Sequence, residues 1–248
     1  MKYLFLTVTL FSSLSLFAQE EETQWKEASK ESQAYHQYRI KETAPPYGLA
    51  KVKALINKTG FDETDQLKLS NKDYMSLSLR EKFTYHMINP ESFSQNCDAM
   101  PPLQEEHKKI FGFLPDDFDE YSWSERQVKF LQSNRDSVMG LIKESVNRSK
   151  RMGVNYKSAI VQINGKEMIP FLIDTYNIDK KDHDILTVLM LLMKDNEYKP
   201  FMSSVSFRKL YSDKPNGDES NYRAYLDFNK ANEELIIQRA TDFYKNAR

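Results

Sequence analysis

The segment Tyr85-His86-Met87-Ile88-Asn89-Pro90-Glu91-Ser92-Phe93-Ser94-Gln95-Asn96-Cys97-Asp98 gathers the side chains best suited to covalent chemistry: a histidine, a glutamate and the chain's single cysteine. A Cys–His hydrolase needs a thiolate, a base within hydrogen-bond reach and a third group that orients the base. His86, Glu91 and Cys97 have the residue types for those catalytic roles, but no family signature surrounds them. The competing reading is structural. A lone cysteine is more often a small buried hydrophobe, and a histidine on a helix that also bears Phe83 and Met87 is more often a core or surface group. The balance leans away from an enzyme, with a Cys/His-type hydrolase centred on residues 86–98 as the alternative.

The remaining candidates for chemistry are weaker. His107 follows Glu105-Glu106 and His183 lies between Asp182 and Asp184, yet neither has the His-Glu-x-x-His spacing that sets two imidazoles on one helical face around zinc. Asp182 and Asp184 suit a helix N-terminus, where unpaired N–H groups and the helix dipole favour carboxylates. The acidic run 116–120 and the loop from Asp213 to Glu219 lack the alternating oxygen ligands, glycine and distal glutamate of a calcium loop. Gly165-Lys166 lacks the upstream glycines and the following Ser/Thr of a phosphate loop. No metal and no cofactor are expected.

Such chemistry would have to be positioned by a chain that opens like an exported protein. Lys2 supplies a positive start, Leu4 to Phe11 an apolar run, and Ser12 to Ala18 a more polar approach to a small residue before Gln19. Residues 1–18 are therefore expected to be a cleavable signal peptide. A transmembrane helix needs roughly 20 predominantly apolar residues, and this run gives way to Gln19-Glu20-Glu21-Glu22. No transmembrane anchor is expected after cleavage. Leu16 departs from the small-x-small pattern of a cleavage site.

Composition narrows the rest. About 230 residues remain after cleavage, enough to bury a core without staples. Cys97 has no intramolecular partner, and an exported protein without a disulfide fits a bacterial envelope, periplasmic or secreted, better than a eukaryotic secretory route. The whole chain carries 35 Lys+Arg against 36 Asp+Glu, and loss of Lys2 leaves 34 against 36, a net charge of −2. Nucleic acid is not the expected partner, because its binding rests on a basic footprint. With seven glycines and 29% charged residues, helices are favoured over turn-rich β architecture.

The expected fold is all-α: antiparallel helix pairs in an irregular superhelix or bundle. Residues 19–44 read as a polar, solvated helix, and 45–248 as one helical domain with an irregular hinge at 89–121. Leu49, Val52, Leu55 and Ile56 recur at helical spacing up to Thr59-Gly60, and Asn71 or Asp73 is placed to cap a helix carrying Tyr74, Leu77, Phe83 and Met87. Ser122-x-x-Glu125 has the form of a capping box for a helix reaching Met152-Gly153. Around Asn164-Gly165 a short β-hairpin near 160–169 is the alternative to helix, and Pro170 favours helix. Asp182 to Lys194 is apolar almost all round, the mark of a buried helix, and a long polar helix is expected from about Glu219 to the end.

Residues 166–199, with Ile-Pro-x-Leu-Ile opening a first helix, an aspartate-containing turn and a more hydrophobic second helix, resemble one unit of a HEAT-type repeat. The likeness covers about one seventh of the chain, without a second copy at a fixed period. It implies stacked antiparallel helices and, by analogy, a scaffold that binds protein. The expectation is thus an exported, non-catalytic interaction or structural protein of the bacterial envelope. The mature form should begin at Gln19; intact-mass measurement on envelope and medium fractions tests this, and a mature protein retaining Met1 overturns it.

Overall fold

The computed structural model describes residues 27–59, 68–95, 102–116, 118, 120–211 and 223–246. The expected leader 1–18, Cys97 and the loop 213–219 lie outside the described residues. In chain order the described helices are α1 (Lys30–Arg39), α2 (Leu49–Ile56), α3 (Asn71–Met75), α4 (Leu79–Ile88), α5 (Glu125–Ser133), α6 (Arg135–Ser149), α7 (Val154–Gln162), α8 (Ile169–Ile178), α9 (Asp184–Asp195), α10 (Lys199–Met202), α11 (Val205–Tyr211) and α12 (Lys230–Asn246). Short strands β1 (Ser92–Phe93) and β3 (Tyr121–Ser122) pair antiparallel, as do β2 (Lys109–Phe111) and β4 (Tyr225–Asp227). Two 3₁₀ turns occupy Glu106–Lys108 and Lys166–Met168. The protein is all-α, as its composition and periodicity predict.

The centre of the core is α9. Its residues from Asp184 to Met193 are all buried, and α7, α8, α10, α12 and β2 pack around it. Leu186, Leu189 and Met193 share one apolar cluster with Ile169 and Leu172 of α8, and Ile173 packs against its edge. A second, smaller cluster joins Val52, Leu69, Tyr74, Leu77 and Tyr85 beneath α2, α3 and α4. Around Asn164-Gly165 the chain turns between helices rather than strands: Asn164 adopts φ 47°, and Pro170 sits in the first turn of α8, where its missing N–H costs nothing. None of the described helices is long and apolar enough to cross a membrane.

Several boundaries differ from expectation, each for a local reason. Ser70, not Asn71 or Asp73, caps α3 by accepting from the Asp73 N–H at 3.1 Å. A second serine, Ser78, forms a reciprocal capping box with Glu81 and divides the expected single helix into α3 and α4. The capping box of α5 is Ser124 with Gln127 rather than Ser122 with Glu125. Ser122 is held extended by pairing with Ser92, and the Trp123 indole N–H donates to the His86 carbonyl at 2.7 Å. The expected continuous helix after it breaks at Asn134, whose side-chain amide donates to the Phe130 carbonyl at 2.8 Å and ends α5. The expected helix from Glu219 begins only at Lys230, because Tyr225, Leu226 and Asp227 pair with β2 instead.

Nor is α1 a solvated helix: Ser32, Tyr35 and Arg39 form a buried face. The irregular stretch 89–121 sends Ile110 of β2 into the main core.

Leu189 is fully buried, so Leu189→Ala should cost roughly 2–5 kcal/mol through lost transfer energy and a cavity. Leu189→Asp should prevent folding by burying a charge without a partner. Lys180 pairs with Glu233 at 2.6 Å, but its side chain is 59% exposed; Lys180→Ala should cost under about 1 kcal/mol. Denaturant melts decide, and equal midpoints for Leu189→Ala and Lys180→Ala would remove α9 from the core.

Candidate functional site

Glu91 is fully buried where α4 gives way to β1 and meets the start of α5. Its carboxylate accepts from the Tyr85 hydroxyl at 2.7 Å, from the Ser124 hydroxyl at 2.5 Å, and from the Arg126 guanidinium. Arg126 in turn lies 4.2 Å over the Tyr74 ring and donates to the Leu69 carbonyl at 3.3 Å. The Gln127 side chain completes the knot. Its oxygen accepts from the Glu91 and Ser124 N–H groups at 2.9 and 3.1 Å, and its amide donates to the Asn89 carbonyl at 2.9 Å. Backbone groups freed at the ends of two helices are thus satisfied by one side chain.

His86 is buried beside this knot, its ring 4.6 Å from that of Phe130 and its Nε2 3.1 Å from the Tyr74 hydroxyl oxygen. Nδ1 has no hydrogen-bond partner. Glu91 therefore does not orient His86 as the third member of a catalytic relay would. Burial, reinforced by the positive charges of Arg126 and Lys82, drives the His86 imidazole well below the ordinary histidine range and keeps it neutral. The structure brings His86 and Glu91 into one buried neighbourhood, where Glu91 ties elements together and His86 packs among aromatic rings. Cys97 lies outside the described residues.

A second polar cluster joins α1, the 106–108 turn, α7 and the start of α9. Arg39 Nε donates to both Asp184 carboxylate oxygens at 3.0 and 3.1 Å, and Nη1 donates to Glu106 at 2.5 Å. The same guanidinium lies 4.0 Å over the Phe111 ring. His36 Nδ1 is 3.1 Å from each Glu106 oxygen, and the Glu106 N–H donates to the Ser32 hydroxyl at 3.1 Å. Lys157, completely buried, donates to Asp182 at 2.6 Å and stands 4.0 Å from Asp184. Burial alone would raise Glu106, but the His36 hydrogen bond and the Arg39 charge outweigh it and hold the carboxyl below its usual range. Asp182 goes the other way: burial and the neighbouring Asp184 raise it despite Lys157.

His183, at the head of α9, stacks on Phe228 at 3.6 Å, and its Nδ1 lies 3.2 Å from the Lys109 carbonyl. Burial pulls it down to about 4. One turn further on, Thr187 donates to the Phe111 carbonyl at 2.8 Å. His107 is half-buried beside Ser32, its Nδ1 3.4 Å from that hydroxyl. Asp182 and Asp184 do stand at the helix N-terminus expected of them, yet fully enclosed, with internal cations as partners. Sequence reading passed over Arg39, Glu106 and Lys157. The available signal was Asp182-His183-Asp184 heading the most apolar helix, since charges entering a core must find partners.

In both clusters the buried acids are tied up by cations, hydroxyls and backbone groups of the fold: Glu91 by Arg126 and the Tyr85 and Ser124 hydroxyls, Glu106 and Asp184 by Arg39. Among the described residues, no group of three or more His, Cys, Asp or Glu side chains is arranged to hold a metal ion. Comparison with known protein families, characterised proteins and solved structures finds no match to this chain.

The buried neutral histidines make stability depend on pH with a definite sign. The unfolded chain protonates histidine near pH 6.5, whereas folded His183 resists until about 4 and folded His86 is likewise held well below its ordinary range. Their full contribution is present above pH 6.5 and is lost as pH falls toward 4. Between pH 6.5 and 5 this is roughly 2 kcal/mol for His183. Urea midpoints should fall across that interval, and His183→Gln should flatten the dependence. An unchanged slope in that variant would show that His183 is not one of the groups responsible.

Proposed function

We propose that this chain is an exported, non-catalytic interaction or structural protein of a bacterial cell envelope, periplasmic or secreted, whose partner is protein. What carries the reading is how its side chains are used. The side chains best suited to chemistry are turned inward and packed or bonded within the fold, while apolar groups remain on the outside around α8 and α12. Ile178 at the end of α8 is 85% exposed and Leu235 on α12 is 40% exposed. A shallow depression lined by Lys180, Glu233, Leu235, Ile237 and Gln238 runs along α12. In this reading α8 and α9 form the HEAT-like unit, and the face beyond them receives the partner. The near-neutral charge and the leader-like residues 1–18 support a protein partner met outside the cytoplasm.

The hydrolase alternative has less support, because His86 is shut away from solvent and lacks an orienting carboxylate.

Site-specific photocrosslinking in cells exporting the protein tests the proposal. A crosslinking residue at Leu235 should give a discrete adduct with another protein, and the same residue at exposed Lys129 on α5 should not. Equal labelling from both positions, or none from either, would contradict a specific binding face. A hydrolytic activity that disappears in a folded His86→Ala variant would return the choice to the enzyme.

A further inference from the structure

We propose that α1 is a releasable strap: a helix that lifts from the folded body as a unit, turning about Thr43, and bares the buried carboxylates at the head of α9. The inference goes beyond the binding face on α12 and does not depend on it.

Three observations carry it. The first is what holds α1 down. None of its residues belongs to either apolar cluster, although every long helix of the main body contributes to one. Its seat is polar: Arg39 on Asp184 and Glu106, His36 on Glu106, and Ser32 on the Glu106 N–H. Tyr35 is its one large buried apolar side chain.

The second is the energetic character of such a seat. Lifting an apolar helix exposes hydrocarbon to water, at about 25 cal/mol per Å². Separating buried charges exposes Arg39, Glu106 and Asp184 to water together, and each recovers the hydration it lost on docking. The net worth of a buried ion pair is accordingly small compared with its Coulomb energy. Opening of α1 should therefore lie well below global unfolding in free energy.

The third is a pivot. Asn155 of α7 grips the Thr43 backbone twice, accepting from its N–H at 3.1 Å and donating to its carbonyl at 3.0 Å. The absence of a side chain at Gly153 permits this approach, because a Cβ there would collide with the Thr43 nitrogen. Before Thr43, the Lys41 carbonyl accepts from the Val154 N–H at 3.3 Å and the chain then runs into the clasp that Arg39 forms with Glu106 and Asp184; after it, the Tyr47 hydroxyl donates to the Leu141 carbonyl at 3.1 Å. What holds that side beyond the clasp is again mostly polar: Arg151 donates to the Tyr38 carbonyl at 2.7 Å, and the Tyr38 hydroxyl donates to Asp179 at 2.9 Å. Lifting the strap would bare Glu106, Asp184 and the Phe111 ring that now lie under Arg39.

Native-state hydrogen exchange on the full chain tests this. In the unmodified protein, the α1 amides should exchange through a local opening, faster than the Ile185 to Met193 amides by at least about tenfold and with weaker denaturant dependence. Arg39→Met, which keeps an unbranched apolar stem and removes the guanidinium charge, should abolish protection in α1 and leave protection in α9 unchanged. Glu106→Gln should reproduce that pattern in weaker form. The proposal is overturned if α1 and α9 exchange with the same opening free energy in the unmodified protein. It is equally overturned if Arg39→Met lowers protection in both helices, or does not fold, since either result makes α1 part of the core.

Discussion

The structure turns on the enclosure of α9 from Asp184 to Met193, including its charged first turn. A helix surrounded on every side by other elements cannot leave Asp182 and Asp184 in water, and a carboxylate without a partner in the interior is prohibitively costly. Each acid therefore draws in a cation from a distant element: Lys157 from α7 for Asp182, and Arg39 from α1 for Asp184. Arg39 brings Glu106 with it, and Glu106 brings His36 and Ser32. Four elements are placed by one electrostatic requirement. Pairs of this kind add little to stability compared with well-packed apolar groups of the same volume, but removal of one partner leaves the other buried and uncompensated. They act here chiefly to decide where α1 and the 106–108 turn must lie.

The knot around Glu91 obeys the same rule. There the requirement comes from the end of α4 and the start of α5, whose free backbone groups are buried together. Gln127 serves both, accepting from two N–H groups and donating to one carbonyl, and Arg126 balances Glu91 while covering the Tyr74 face. The smaller apolar cluster is thereby joined to the larger one. His86 fits into this arrangement as a polar aromatic ring kept neutral by its surroundings.

Local signals in the sequence are legible where they are unambiguous. The near-continuous apolar run from Ile185 to Met193 marked the buried helix, and Pro170 marked the first turn of α8. Serines before helices signalled caps, but Ser122-x-x-Glu125 and Ser124-x-x-Gln127 overlap, and the choice between them was made by a strand pair with Ser92 and by a tryptophan hydrogen bond. The breaks at Ser78 and Asn134 interrupt otherwise helical patterns, so periodicity passed through them. Least legible were partnerships across the chain. Arg39 and Asp184 are 145 residues apart, and Arg39 and Glu106 are 67 apart; nothing near any of them announces the others. His86 and Glu91 were singled out for their residue types, whereas burial and hydrogen-bond direction, which give them structural roles, emerge only in three dimensions.

The side chains at the head of α9 have one more effect, on the two-stranded ribbon beside it. The outer carbonyl and amide groups of an antiparallel pair can template a further strand from another molecule, and the shortness of β2 and β4 already limits this. On β2 the outward carbonyls of Lys109 and Phe111 are already met by His183 and Thr187. A neighbouring chain seeking to add a strand there finds those acceptors taken and a helix standing in its path. Thus α9 closes the β2 edge of the ribbon, and the turn of helix that gathers the buried charges also guards that edge against a strand from another molecule.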